Sequence, residues 1–261
     1  MDRAVDAFSN EDAWRLAALS TMGADELRAL FSGRDAAPWV TAAANSGLAD
    51  AQVRLGRMLL AGEGVARDES AACAWFARAA EQDHAEGHNM LGRCLENGWG
   101  AVTDLPEAAK NYAIAAQAGD AWAQYNLGHC YLDGLGLPRD LATAFVWYFR
   151  AANLGHARAM NLVARCYEEG WGIKRDITLA RAWYRKSAEG GYFRGAYNYA
   201  TMLAAEGCIV GAAHWFESAL ASAPPPTRAI MAETLAKSPH AALRALGLGM
   251  GAQVGITSGL I

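Results

Sequence analysis

Three cysteines stand 36 residues apart, at Cys94, Cys130 and Cys166, with Met58 and Met202 at the two ends of the same column. Thiols in a row invite a disulfide or a metal site. Equivalent helices of stacked repeats lie about 8–10 Å apart or more, whereas a disulfide needs Cα atoms within about 7 Å, so neighbours in this column should not bridge. Five cysteines leave one over, and reduced, packed thiols are the expectation. His84 and His88 have the i,i+4 spacing that places two zinc ligands on one helix face. His84 and His156 share a repeat column, however, which points to a turn between repeats, falling between His84 and His88. No Cys-x-x-Cys or His-Glu-x-x-His motif accompanies them, and no metal or other cofactor is expected. The recurring Gly-x-Gly segments lack the preceding strand and third glycine of a dinucleotide loop. Nor is there a phosphate-loop lysine, a Gly-x-Ser-x-Gly elbow or a coherent acid–base set, so the chain is expected not to be an enzyme. What remains is recognition chemistry. Arg57, Arg93, His129 and Arg165 form another column, and arginine forks bind carboxylates or peptide carbonyls.

These residues are positioned by a repeat. Leu55, Leu91, Leu127, Val163 and Tyr199 are 36 residues apart, and the next position is always Gly or Ala, at Gly56, Gly92, Gly128, Ala164 and Ala200. Glycine pairs recur from Gly62 and Gly64 to Gly170 and Gly172, each followed by an acid, at Asp68, Asp104, Asp140 and Asp176. Trp39, Trp75, Trp147 and Trp183 share a further column, broken by Asn111. A helix pair explains each column. The first helix, such as Asp50 to Leu60, carries apolar or small residues at helical spacing. Gly-x-Gly ends it, the aspartate caps the second helix, and the rings of its Trp-aromatic pair fill the space opposite Gly and Ala. No pair buries its apolar face alone, so the pairs must stack.

The pattern resembles the Sel-1-like repeat family, relatives of the tetratricopeptide repeats. The resemblance is carried by Ala123-Gln124-Tyr125-Asn126-Leu127-Gly128-His129-Cys130-Tyr131, by Gly134-Leu135-Gly136-Leu137-Pro138-Arg139-Asp140, and by Ala144-Phe145-Val146-Trp147-Tyr148 with Ala151-Ala152. It implies an all-α fold, a right-handed α-solenoid of stacked antiparallel helix pairs with a concave binding surface, in a protein that acts as an adaptor or scaffold. The concave side of such first helices would present Arg57, Asn89, Arg93, Trp122, Tyr125, His129, Arg158, Asn161, Arg165, Arg194 and Tyr197. Aromatic and arginine side chains anchor interfaces, and asparagines can clamp a peptide backbone. Pairing of Arg93 with Glu96, or of Arg165 with Glu168 or Glu169, within one helix is the plainer alternative. Trp99 and Trp171, each between glycines in a turn, form a second candidate patch, for which packing against the neighbouring turn is the alternative.

Residues 1–35 are expected as capping helices, with a helix start at Ser9-Asn10-Glu11-Asp12 and a second short helix from Ala24 to Phe31. The repeat region spans 36–222. Its last unit is shortened, with Trp183 and Trp215 only 32 residues apart and no Gly-x-Gly between Met202 and Trp215. Pro224-Pro225-Pro226 breaks the helix, 223–246 reads as further capping helices, and 247–261 as a loose tail. The composition, 53% hydrophobic and 19% charged, is that of a folded chain, and a net charge of −4 argues against nucleic acid as the partner. No apolar run is long enough to span a bilayer and the start lacks a secretory core, so a cytoplasmic location is expected. Compact bacterial relatives with Gly-Trp-Gly turns and a segment like Ser187-Ala188-Glu189-Gly190-Gly191-Tyr192-Phe193-Arg194-Gly195 are similar to proteins that accompany iron-uptake genes. That resemblance implies an Fe(II)/2-oxoglutarate-dependent hydroxylase as partner. The alternatives are an immunity protein that wraps a toxin and an enzyme accessory subunit docking by its convex side.

Overall fold

The computed structural model describes residues 10–257 apart from 24, 27–29, 31, 32, 34 and 35. Fourteen helices and no strand occur among the described residues. The short helix expected from Ala24 to Phe31 lies largely outside them. The chain divides into two compact units, one ending at Arg139 and the other beginning at Asp140. The first unit holds α1 (Asn10–Leu19), α2 (Ala36–Asn45), α3 (Ala49–Ala61), α4 (Glu69–Ala80), α5 (Ala85–Asn97), α6 (Leu105–Gln117) and α7 (Ala121–Asp133). The second holds α8 (Leu141–Asn153), α9 (Ala157–Glu169), α10 (Ile177–Glu189), α11 (Phe193–Ala205), α12 (Ile209–Ser222), α13 (Pro225–Ala236) and α14 (Ala241–Thr257). Within each unit consecutive helices pack on one another, and the first helices of successive repeats touch as well: α3 with α5, α5 with α7, and α9 with α11.

The helix ends follow from the repeated residues. Gly62, Gly98, Gly134 and Gly170 each end a first helix in the left-handed conformation. The chain then returns through a backbone bond such as Asp68 N–H to Leu59 C=O, 3.0 Å, or Asp176 N–H to Tyr167 C=O, 2.9 Å. The aspartates cap the second helices as expected: Asp68 accepts from Ala71 N–H at 2.9 Å, Asp104 from Glu107 at 3.0 Å and Asp176 from Leu179 at 2.9 Å. The second glycines Gly100, Gly136 and Gly172 have a different task, which the spacing alone does not reveal. A Cβ on Gly136 would lie 2.1 Å from the Leu105 carbonyl oxygen, and one on Gly172 would lie 2.1 Å from that of Leu141. In each case the turn of one repeat rests on the first residue of the preceding second helix.

The expectation for the rings needs one correction. The ring opposite the small-residue column belongs to the residue after the tryptophan: a Cβ on Gly56 would meet the Phe76 ring at 2.6 Å, and one on Gly92 the Tyr112 ring at 2.7 Å. Phe76, Tyr112, Tyr148 and Tyr184 are fully or almost fully buried. Three tryptophans of the column lie outside this seam, each covered by a cation three residues on: Arg78 on Trp75 at 4.4 Å, Arg150 on Trp147 at 4.6 Å, Lys186 on Trp183 at 4.1 Å. At the far end, α14 runs to Thr257, through the segment expected as a loose tail from Gly247. Gly247 acts there as a contact glycine and does not stop the helix; its Cβ would lie 2.4 Å from the Ala236 amide nitrogen of α13.

Candidate functional site

In the first unit the first-helix face is built from α3, α5 and α7. Trp122 lies in the first turn of α7 and is 47% exposed. Its ring meets Tyr125 edge-on at 6.1 Å, and Tyr125 meets His129 edge-on at 4.7 Å. Residues three and four apart share a helix face, so these rings form one aromatic ridge along α7. Burial pushes His129 below its ordinary range, with Asp133 opposing the shift. Beside it on α5, Arg93 lies over the Trp99 ring at 5.0 Å. Glu96 accepts from the Tyr112 hydroxyl at 2.7 Å; burial, and then this contact, drives the phenol far above its usual range. Arg57 forms a salt bridge with Glu86 across α3 and α5, at the side of a cavity of about 210 Å3 also lined by Asp50, Arg54 and Glu63.

The second unit repeats part of this arrangement 72 residues on. Arg165 lies over Trp171 at 4.7 Å, and Glu168 accepts from Tyr184 at 2.6 Å. The Arg column and the Gly-Trp-Gly patch, separate in the sequence reading, are therefore one feature in each unit. A stacked arginine keeps its in-plane N–H groups for a partner, and such stacking contributes about 0.5–1 kcal/mol at exposed sites. Arg158 lies over Tyr192 at 5.7 Å and Arg194 over Phe193 at 5.6 Å. Neither Arg93 nor Arg165 forms an in-helix salt bridge with its glutamate; those glutamates hold the tyrosine hydroxyls instead.

Three expected contact residues are committed elsewhere. Asn89 and Asn161, at 4% and 5% exposure, accept from Asn126 and Asn198 on the next first helix, both at 2.9 Å. They brace successive repeats and have no face left for a peptide backbone. Tyr197, partly buried, packs edge-on against Phe216 at 5.2 Å and hydrogen-bonds Thr234, which turns its ring against the core of α11 to α13. The polar identity of these asparagines was visible in the sequence, but the 37-residue offset of their partners was the only sign of the brace.

The groups with catalytic or ligating potential sit at helix caps, in hydrogen bonds between helices or buried in the core. His84 and His156 are helix N-caps: Nδ1 accepts from Gly87 N–H at 3.1 Å and from Ala159 N–H at 3.2 Å. The turn ends at His84, so His88 lies one helical turn on, with Nδ1 bonded to Asn111 Oδ1 at 2.9 Å. That bond explains Asn111, the break in the tryptophan column. Cys94, Cys130 and Cys166 are buried free thiols, each pushed up to about 12 by burial. Cys73, which the repeat columns did not single out, is in hydrogen-bonding contact with Cys94. No cluster of three or more His, Cys, Asp or Glu placed to hold a metal occurs among the described residues. A groove of about 370 Å3 along α10 carries Arg181, Arg185 and Lys186, which engage Glu206, Glu189 and the Trp183 ring. The Ser187 to Gly195 segment has a packing account: Ser187 Oγ donates to the Ala157 carbonyl at 2.7 Å, and a Cβ on Gly195 would lie 2.2 Å from that Oγ. No described helix is long and apolar enough to cross a membrane.

Comparison with known proteins agrees with this geometry. The Sel1 repeat model matches residues 49–84, 85–120, 123–156 and 157–192, more than half of the chain. Among solved structures, the Sel1 repeat protein of Oxalobacter formigenes is 26% identical with a TM-score of 0.69, over 80% of this chain and 92% of that one. The protective antigen c5321 of uropathogenic Escherichia coli, which displays an SLR fold, is also 26% identical, with a TM-score of 0.68. The match takes in 95% of this chain and 53% of that antigen, so the chain spans about half of its length. The immunity protein Pa5087 of Pseudomonas aeruginosa, 17% identical with a TM-score of 0.52 over 80% of this chain and 81% of that one, shares the fold. No curated protein sequence is significantly similar. With four matched repeats, recurrent caps and turns, and helix pairs throughout, the chain belongs to the Sel1 repeat family.

Proposed function

We propose that this Sel1 repeat protein is a non-catalytic adaptor that binds a partner protein through the faces formed by its first helices. The observation that supports this most directly is the ridge of Trp122, Tyr125 and His129, which leaves a large indole 47% exposed, with the stacked Arg93 on the neighbouring first helix. Keeping such a ring in water forgoes about 2 kcal/mol of burial, and tryptophan, tyrosine and arginine dominate interface energetics. The finer reading, a partner that is an Fe(II)/2-oxoglutarate-dependent hydroxylase of bacterial iron uptake in the cytoplasm, rests on the Gly-Trp-Gly turns and the Ser187 to Gly195 segment alone. The immunity reading draws on structures that share the fold.

The test is to tag the full chain in its native host and identify co-purifying proteins by mass spectrometry, beside a Trp122→Ala/Arg93→Ala variant shown to be folded by circular dichroism. One stoichiometric partner lost in the variant supports the reading, and its identity, toxin or oxygenase, decides the pathway. A partner retained in full by the folded variant places binding elsewhere and refutes the reading.

A further inference from the structure

The first-turn positions of successive first helices read Asp50, Glu86, Trp122, Arg158 and Arg194, so their sign changes along the chain. The consequence differs between the units. In the first, Arg57 is neutralised by Glu86. In the second, Arg165 and Arg194 have no carboxylate partner among the described residues, and each lies over a ring, Trp171 or Phe193. Arg158 lies over Tyr192. Glu168, three residues on from Arg165, accepts from the Tyr184 hydroxyl.

We infer that the first-helix face of the second unit, α9 with α11, binds an extended acidic polypeptide segment, its carboxylates taken by Arg158, Arg165 and Arg194. This rests on the adaptor reading and names the chemistry of the partner at one face. The spacing suits an extended chain. Seven residues of helix separate Arg158 from Arg165 by about 10 Å, and carboxylates three residues apart on an extended strand span about 10 Å. The neighbouring first helix, which carries Arg194, packs at about 10 Å. A guanidinium stacked by its face presents its N–H edge as a fork for carboxylate. A chain with a net charge of −4 that concentrates arginines here selects acidic partners by charge complementarity.

The test uses the full chain and a fluorescein-labelled synthetic peptide carrying glutamates three residues apart on a serine–alanine background, followed by fluorescence anisotropy. The controls are its glutamine counterpart and an oligothymidylate. The glutamate peptide should bind at least about tenfold more tightly than the glutamine peptide and weaken with salt. Arg165→Ala/Arg194→Ala should lose at least about tenfold, while Arg67→Ala/Lys110→Ala, on a turn and a second helix of the first unit, should bind as the wild type does. Equal binding of the glutamine peptide, unchanged binding by the Arg165→Ala/Arg194→Ala variant, or equally tight binding of oligothymidylate overturns the inference. If glutamate peptides fail while a partner is still lost from Trp122→Ala/Arg93→Ala, the adaptor reading survives and this inference alone falls. If the peptide binds as described while a partner persists on that variant, this face stands and the first-unit reading falls.

Discussion

At Gly136 two demands meet, a φ of +70° and a neighbouring carbonyl 2.1 Å from where a Cβ would sit. Gly119 shares only the first, with a φ of +94° and nothing within 4 Å of the built Cβ. Left-handed backbone costs a side chain about 1–2 kcal/mol, so Gly119→Ala should lower stability by that amount. Gly136→Ala must also displace the backbone at Leu105 and should cost more than about 3 kcal/mol; urea midpoints of the two variants check the difference. His156 offers a second test. Burial, and then Arg158, lowers it from 6.5 to about 4, and its Nδ1 must stay unprotonated to cap α9. A depressed folded value means that the folded state binds fewer protons between about 4 and 6.5 than the unfolded chain does. The stabilisation is therefore complete above about 6.5 and lost as pH falls towards 4. His156→Asn keeps a capping oxygen without the titration, so its stability should change less with pH over that window. The repeat column made His156 legible as a turn residue, but not its capping role, because histidine is no usual cap.

Among elements, the period of 36 made nearly everything local legible: helix pairs, the glycine that ends each first helix, the aspartate that opens each second one. It did not show which ring of each Trp-aromatic pair enters the seam, because neighbouring residues on a helix face about 100° apart and either could point inward. It also misassigned Asn89, Asn161 and Tyr197, whose side chains look like contact chemistry until the next helix is in place. These errors share a cause. A column of residues fixes a position within the repeat, whereas burial depends on what the adjacent repeat offers. Asn161→Ala should therefore act on folding, costing about 1–3 kcal/mol by leaving the Asn198 amide without its acceptor. Thermal denaturation of the free protein would detect this, and an unchanged melting temperature would return Asn161 to the binding face.

At the scale of the molecule, the second helices α4, α8 and α10 carry cation-covered tryptophans, and on the function proposed above the first helices present the side chains a partner meets. Exposed apolar residues occur on second helices too, Ile114 at 37% and Val146 at 45%, so exposure alone does not separate the faces. The most direct measurement is site-specific photocrosslinking in the native host, with a benzophenone amino acid placed at position 122 and, separately, at 114 and 146. Binding through the first helices predicts one discrete protein adduct from position 122 and none from the other two. Adducts from 114 or 146 with none from 122 would contradict it and put the partner on the second helices.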